Sequence, residues 1–172
     1  HLSHFDCAQA CRKEYSLFSL LHNYNFLNQS NEKIMKVVFL GTGSAVPTLK
    51  RGLSAVAIIR KQEILLFDCG EGTQVQLLKA KLKGTRIKKI FVSHMHGDHV
   101  TGLMGLLMSL EMGNRLNPLS IFGPPGIGEY IKTCERLFQT YFSFPLNIFE
   151  INKITSGIIY EEEEYRIKSQ PL

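Results

Sequence analysis

The feature that most constrains this chain is Ser93-His94-Met95-His96-Gly97-Asp98-His99, placed directly after the apolar β-type run Lys89-Ile90-Phe91-Val92. Three of the six histidines of the chain fall in it, with an aspartate between them. Imidazole nitrogens and a carboxylate are the donors that hold a catalytic divalent ion when one position must stay open to water. His94 and His96 are two apart and point the same way from an extended segment. Asp98 and His99 are adjacent and diverge, so they can serve a second ion. Gly97 permits the tight loop between the pairs. A fold that accepts this segment must bring a strand end and a loop to one cleft, and the chemistry expected there is two-metal hydrolysis. A structural zinc knot would instead draw on thiolates, and Cys7, Cys11, Cys69 and Cys134 all lie outside the segment.

Length and composition bound the rest. The 172 residues suffice for one ordinary domain, and no apolar run is long enough to span a membrane. A net charge of +5 favours a polyanionic partner without demanding one. The cysteines show neither paired metal spacing nor a disulfide framework, which points to a reducing, cytoplasmic-type compartment (or an organelle or nucleus in a eukaryote).

Residues 1–34 differ from the rest of the chain. They are rich in Asn and Ser, and Arg12, Lys13 and Lys33 balance Asp6, Glu14 and Glu32, so the positive excess lies downstream. A transit peptide would be Arg-rich and poor in acids. Three readings stand: upstream sequence translated with the gene, a short amphipathic helix around Glu14 to Leu21, or an organelle-specific extension. The first is favoured, because Met35-Lys36-Val37-Val38-Phe39-Leu40 reads as a start running into a strand. The domain boundary is therefore expected between Ile34 and Met35, with 1–34 disordered or a short helix.

From Met35 the pattern is regular. Strands are expected at Lys36–Leu40, Ser54–Arg60, Glu63–Asp68, Lys88–Ser93, Leu119–Phe122, Leu146–Ile151, Ile158–Tyr160 and Tyr165–Ser169, with a hairpin at Lys61-Gln62. Helices are expected within Gly70–Leu82, over Val100–Met112 with a stop at Gly113-Asn114, and over Ile127–Thr140. Gly102 and Gly105 weaken the second helix and imply close backbone approach to the histidine loop. Strands alternating with helices give a layered α/β fold. Glu161–Glu164 reads as a solvated turn. Gly41-Thr42-Gly43-Ser44 lacks the third glycine of a dinucleotide fingerprint and the Lys-Ser/Thr of a phosphate loop, so its glycines answer to turn chemistry, with amides available to a substrate phosphate.

These segments together resemble tRNase Z, the tRNA 3′-processing endonuclease family of the metallo-β-lactamase superfamily. The likeness rests on Phe39-Leu40-Gly41-Thr42-Gly43-Ser44-Ala45-Val46-Pro47-Thr48 with Arg51 and Ser54, on Leu66-Phe67-Asp68-Cys69-Gly70-Glu71-Gly72-Thr73-Gln74, on the histidine segment, and on Phe122-Gly123-Pro124-Pro125-Gly126. The histidine motif alone marks the superfamily, while the Asp-Cys-Gly-Glu-Gly-Thr-Gln run is more specific. The resemblance covers Met35 to Leu172. It implies an αββα sandwich, two Zn²⁺ per complete site (Mn²⁺ or Fe²⁺ also suit such donors), precursor tRNA as substrate, and a homodimer when full length.

Under this resemblance His94 and His96 bind one ion, and Asp98 and His99 the other. A hydroxide between the ions attacks the phosphorus in line, with Asp98 as the catalytic carboxylate that orients or deprotonates the water. Asp68 fixes ligand orientation through hydrogen bonds, a role compatible with the plainer one of satisfying turn amides at a strand end. Glu71 and Gln74 hold the loop in place. Lys50 and Arg51 are the candidate substrate-binding residues. Lys79, Lys81, Lys83, Arg86, Lys88 and Lys89 form a basic cluster that either neutralises phosphates or is a solvated helix terminus favoured by the dipole, the second slightly preferred. The Met104/Met108/Met112 stripe is a conceivable dimer surface, though such spacing more often marks core.

One departure matters. The family's later ligands are two further histidines and a bridging aspartate, and this chain has no histidine after His99 and no aspartate after Asp98. The chain thus reads as the N-terminal half of the sandwich, with apolar sheet surface expected to be exposed. Two alternatives stand beside the tRNA-processing enzyme: another hydrolase of the same fold, such as an arylsulfatase or phosphodiesterase, and a non-catalytic truncated product.

Overall fold

The computed structural model describes residues 35–152 and 157–170. They fall in two compact units, one running to Ile151 and one starting at Asn152. The expected boundary at Ile34/Met35, and every reading of the leader, lie outside the described residues.

The first unit is one twisted sheet of six strands in sequential order: β1 (Met35–Gly41), β2 (Ala55–Arg60), β3 (Glu63–Phe67), β4 (Ile87–Phe91), β5 (Leu119–Gly123) and β6 (Leu146–Glu150). The two-residue turn that joins β2 to β3 makes them antiparallel, with Lys61 in the left-handed region at φ 50°. After β3 each strand is reached through a helix or turn and the pairing becomes parallel. The helices are α1 (Thr73–Lys79), α2 (Gly97–Val100), α3 (Gly102–Met112) and α4 (Ile127–Phe138).

Strand alternation separates two sheet faces. The row Ala57–Leu66–Ile90–Ile121 meets Leu77, Leu103, Leu107, Ile127 and Ile131 from the helices in one continuous core. The next row along the register is aromatic. Phe67, Phe91, Phe122 and Phe149 stack across four strands with ring centroids 5.0, 4.9 and 4.8 Å apart. Phe67, Phe91 and Phe122 are buried, and the expected exposure of apolar sheet surface is met only towards the edges, at Val37, Phe39 and Phe149. The ring planes lie within 18°, 15° and 14° of parallel, so neighbouring strands are joined through aromatic contacts as well as through the ladder. The observed fold is α/β as expected, with a single large sheet.

Two polar devices fasten strands β4 to β6, one at each end of the parallel strands. Arg115 follows α3 and is 2 % exposed. Its guanidinium donates to the carbonyls of Asn117 (2.7 Å), Ile87 (2.7 Å), Pro118 (2.8 Å) and Thr85 (3.4 Å), and it lies over the Phe144 ring. Glu150, at the end of β6, accepts from the amides of Gly126 (3.0 Å) and Gly128 (3.1 Å) at the start of α4. A carboxylate suits those amides and the positive helix end. Glu150→Ala is expected to cost about 1 kcal/mol, measured as a lowered denaturation midpoint, whereas Glu150→Gln should retain part of the loss.

The second unit contains a hairpin, β7 (Gly157–Glu161) paired antiparallel with β8 (Arg166–Ser169). Glu162 to Tyr165 close it with a Glu162 amide bond to the Tyr165 carbonyl of 2.9 Å, so the acidic run is the solvated turn expected. Among the described residues no helix is long and apolar enough to cross a membrane.

Candidate active site

The site is built where β3 and β4 end side by side. Asp68 directly follows β3, is fully buried, and takes a left-handed conformation at φ 58° that turns its carboxylate out of the strand row. Aspartate tolerates that conformation better than most residues. Its Oδ1 accepts the Ser93 amide at 2.8 Å, and its Oδ2 accepts the Ser54 hydroxyl at 3.2 Å and the His99 Nδ1 hydrogen at 2.6 Å. A buried carboxylate with three donors is compensated for its lost hydration. The His99 ring is thereby fixed with Nδ1 as donor and Nε2 as the lone-pair nitrogen, as a metal-binding imidazole requires.

The remaining donors gather on the same side. His94 lies 4.0 Å from His99 and 4.5 Å from His96, measured between ring centroids. Asp98 Oδ2 lies 3.6 Å from His99 Nε2 and accepts the Ala45 amide at 3.1 Å. Burial opposes ionisation of Asp98, but the Ala45 amide and the nearby His99 and His94 outweigh it, so its pKa falls below the ordinary carboxylate value. The four sequence-predicted metal residues are therefore adjacent, three imidazoles and one carboxylate, and this donor chemistry fits a divalent ion. They do not close a shell by themselves. Among the described residues no group of three or more His, Cys, Asp or Glu side chains is arranged to hold an ion.

Glycines explain why the loops come this close. A Cβ on Gly70 would lie 2.4 Å from the Asp98 carbonyl, and one on Gly102 would lie 2.0 Å from the Gly70 carbonyl. The backbones are crossed by two bonds, Cys69 amide to His99 carbonyl at 2.8 Å and Gly102 amide to Cys69 carbonyl at 2.9 Å. The second of these also splits the expected Val100–Met112 helix: the Gly102 amide serves the Asp68 loop, so α2 ends and α3 begins there. Gly105 clears the Gln74 amide in the same way, since a Cβ would meet its Nε2 at 2.8 Å.

Each residue of the Asp68–Gln74 run except Glu71 thus has a local reason. Cys69 is buried and its backbone pairs with the histidine loop, Gly72 is left-handed at φ 79°, and Thr73 Oγ1 donates to the Gly70 carbonyl at 2.7 Å. Gln74 packs over Gly105, whereas Glu71 is exposed and makes no hydrogen bond or ion pair among the described residues. Lys50 and Arg51 are exposed in a turn held by the Thr48 and Arg51 backbones.

In the basic cluster, Arg86 donates to the Gln62 and Lys61 carbonyls and Lys89 is buried against Glu63 at 3.7 Å, so these two act in packing. Of the methionine stripe, Met104 is buried and Met112 is exposed. Sequence reading passed over the parts of the site played by Ser54, Ser93 and Ala45. Their signal was membership of the motif segments that carry the resemblance, with no role attached.

The two described cysteines behave differently. Burial pushes the Cys69 thiol from 9.0 up to about 12, with Asp68 adding and Thr73 opposing. At neutral pH Cys69 is expected to resist alkylation in the folded chain while half-buried Cys134 reacts, as peptide mapping by mass spectrometry would show. The raised value means the unfolded thiol loses its proton first. This contribution to stability is intact below pH 9 and is lost as pH rises from 9.0 towards about 12.

The fold is that of a metallo-β-lactamase-fold protein. Bacillus subtilis YhfI, which shares this fold, aligns with a TM-score of 0.57 at 19% identity over 72% of this chain and 47% of that one. A family model described as Anti-Pycsar protein Apyc1 matches residues 35–133, and the chain belongs to that family. Its resemblance to ribonuclease Z, expected from the motifs, is borne out. Ribonuclease Z of Microcystis aeruginosa is 46% identical over 140 residues, and that of Cyanothece sp. 44% over 140 residues, each covering 80% of this chain and 43% of the relative. The human short-form tRNase Z structure aligns with a TM-score of 0.73 at 37% identity, over 78% of this chain and 57% of that one. The chain therefore spans a little over two fifths of the length of these curated relatives.

Proposed function

We propose that residues 35–172 form the N-terminal part of a metal-dependent endoribonuclease that removes 3′ trailers from precursor tRNA. The observation that carries this reading is the Asp68–His99 bond of 2.6 Å, which aims His99 Nε2 at the side where His94, His96 and Asp98 gather. The ribonuclease Z names of relatives at 44% and 46% identity support the substrate.

His94, His96, Asp98 and His99 would hold the metal, two Zn²⁺ in a complete site or Mn²⁺ or Fe²⁺ in their place. A bound divalent ion supplies an acidified water and an electrophile for the phosphate oxygens. The chain's own residues prepare that chemistry. Asp68 orients His99, Asp98 accepts a hydrogen bond from the attacking water and orients it, and the Ala45 amide holds Asp98 in turn. Lys50 and Arg51, exposed in the loop beyond Ala45, receive a backbone phosphate. Homodimerisation and a cytoplasmic, organellar or nuclear location belong to the same reading.

The test is an assay of the full-length protein, loaded with Zn²⁺, on a tRNA carrying a 3′ trailer. Cleavage beside the discriminator nucleotide is expected. Hydrolysis of a simple phosphodiester or sulfate ester with no cleavage of the tRNA would replace this reading with another hydrolase of the fold.

A further inference from the structure

Ser93 is the residue at which half-buried His94 and His99 meet. Its amide donates to Asp68 Oδ1 at 2.8 Å, and its hydroxyl oxygen lies 3.0 Å from His94 Nδ1 and 3.4 Å from His99 Nδ1. The hydrogen on the His99 side is fixed by its neighbour. A carboxylate only accepts, and Asp68 Oδ2 stands 2.6 Å from His99 Nδ1, so that nitrogen carries the hydrogen. The Ser93 oxygen therefore faces, on the His99 side, an N–H already given to Asp68, and on the other side His94 Nδ1, to which a hydroxyl can donate or from which it can accept.

We propose that Ser93 is a positioning residue that holds His94 in the Nδ1–H tautomer, its hydroxyl oxygen accepting that hydrogen. His94 and His99 then both present an Nε2 lone pair, from rings whose centroids are 4.0 Å apart. The backbone of Ser93 completes the arrangement by holding the carboxylate that orients His99. One residue thus prepares two ligands, through its hydroxyl for the first and its amide for the second. A hydroxyl is suited to the first task because it accepts without carrying charge into a cluster that is to receive a cation. The inference rests on the metal-site reading of these residues and adds to it a tautomer that can be observed without metal.

The experiment is long-range ¹H–¹⁵N correlation of the imidazoles in the metal-free chain, above the imidazole titration range, followed by Zn²⁺ titration. In the wild-type chain both His94 and His99 are expected as Nδ1–H. Ser93→Ala is expected to turn His94 to the Nε2–H tautomer, leave His99 as Nδ1–H, and weaken Zn²⁺ binding about tenfold. Ser93→Thr keeps the hydroxyl and should restore both the tautomer and the affinity. If Ser93→Ala does not fold, Ser93→Cys, with a weaker acceptor of similar size, should shift His94 in the same direction.

A wild-type His94 found as Nε2–H would overturn the proposal, and so would a folded Ser93→Ala chain, or its Cys substitute, in which His94 stays Nδ1–H. Zn²⁺ that leaves every wild-type imidazole signal unmoved would instead overturn the metal-site reading and leave the tautomer assignment standing.

Discussion

Replacing Asp98 with alanine in the full-length protein is expected to lower cleavage of a 3′-extended tRNA by about 10³-fold or more. Tight binding of that tRNA should survive. The carboxylate lies 3.6 Å from His99 Nε2 and accepts the Ala45 amide, so it stands among the proposed metal donors rather than on an outer surface. tRNA affinity draws mainly on phosphate contacts spread over many residues, and Asp98 contributes none of them. Single-turnover cleavage and filter binding on the same preparation separate the two effects. Equal loss of both would refute the division between chemistry and binding. Asp68→Asn makes a graded companion. It keeps the size of the side chain but removes the charge facing His99, and about a 10–100-fold loss of metal affinity is expected.

The largest stability effect is expected at Arg115. Arg115→Met fills a similar volume but leaves the carbonyls of Asn117, Ile87, Pro118 and Thr85 without this donor, in a place that is 2 % exposed to water. Each hydrogen bond from a charged donor contributes about 1.5–3 kcal/mol. Not all four are lost outright once the loop relaxes, so a net cost of about 4 kcal/mol is expected. Arg115→Lys should recover only a fraction, because an ammonium reaches fewer carbonyls than the planar fork and cannot stack on Phe144 in the same way. Urea denaturation followed by circular dichroism measures both. A midpoint for Arg115→Met within about 1 kcal/mol of wild type would show that the carbonyls find water or other donors.

The elements of the first unit were legible in the sequence for ordinary reasons. Alternating and continuous apolar runs located six strands, and turn residues at Lys61-Gln62 and Gly113-Asn114 located two of the breaks between elements. Boundaries moved where a tertiary bond overrode local preference. Gly102 is the clearest case, since nothing in Val100–Met112 announces that its amide serves Cys69 in another loop. Gly102 and Gly105 are points of close approach, but to Cys69–Gly70 and to the Gln74 side chain rather than to the histidine loop as expected, because a missing Cβ signals a distant contact without naming its partner. The basic cluster shows the reverse: equal charges in sequence separate into exposed Lys79 and Lys81 and the packed Arg86 and Lys89.

By itself, the sequence determined which donor atoms this protein brings to its candidate site, because imidazole and carboxylate chemistry belongs to the residues and the spacing from His94 to His99 keeps them together. It determined the α/β layering too, through periodicities of local origin. Only the tertiary structure decided which nitrogen of His99 faces outward, which hydroxyls and amides hold Asp68, and that Arg115 joins the start of β4 to the approach to β5. Those are agreements between segments 14 to 31 residues apart, and hydrogen-bond geometry at such separations is set by how sheet and loops pack.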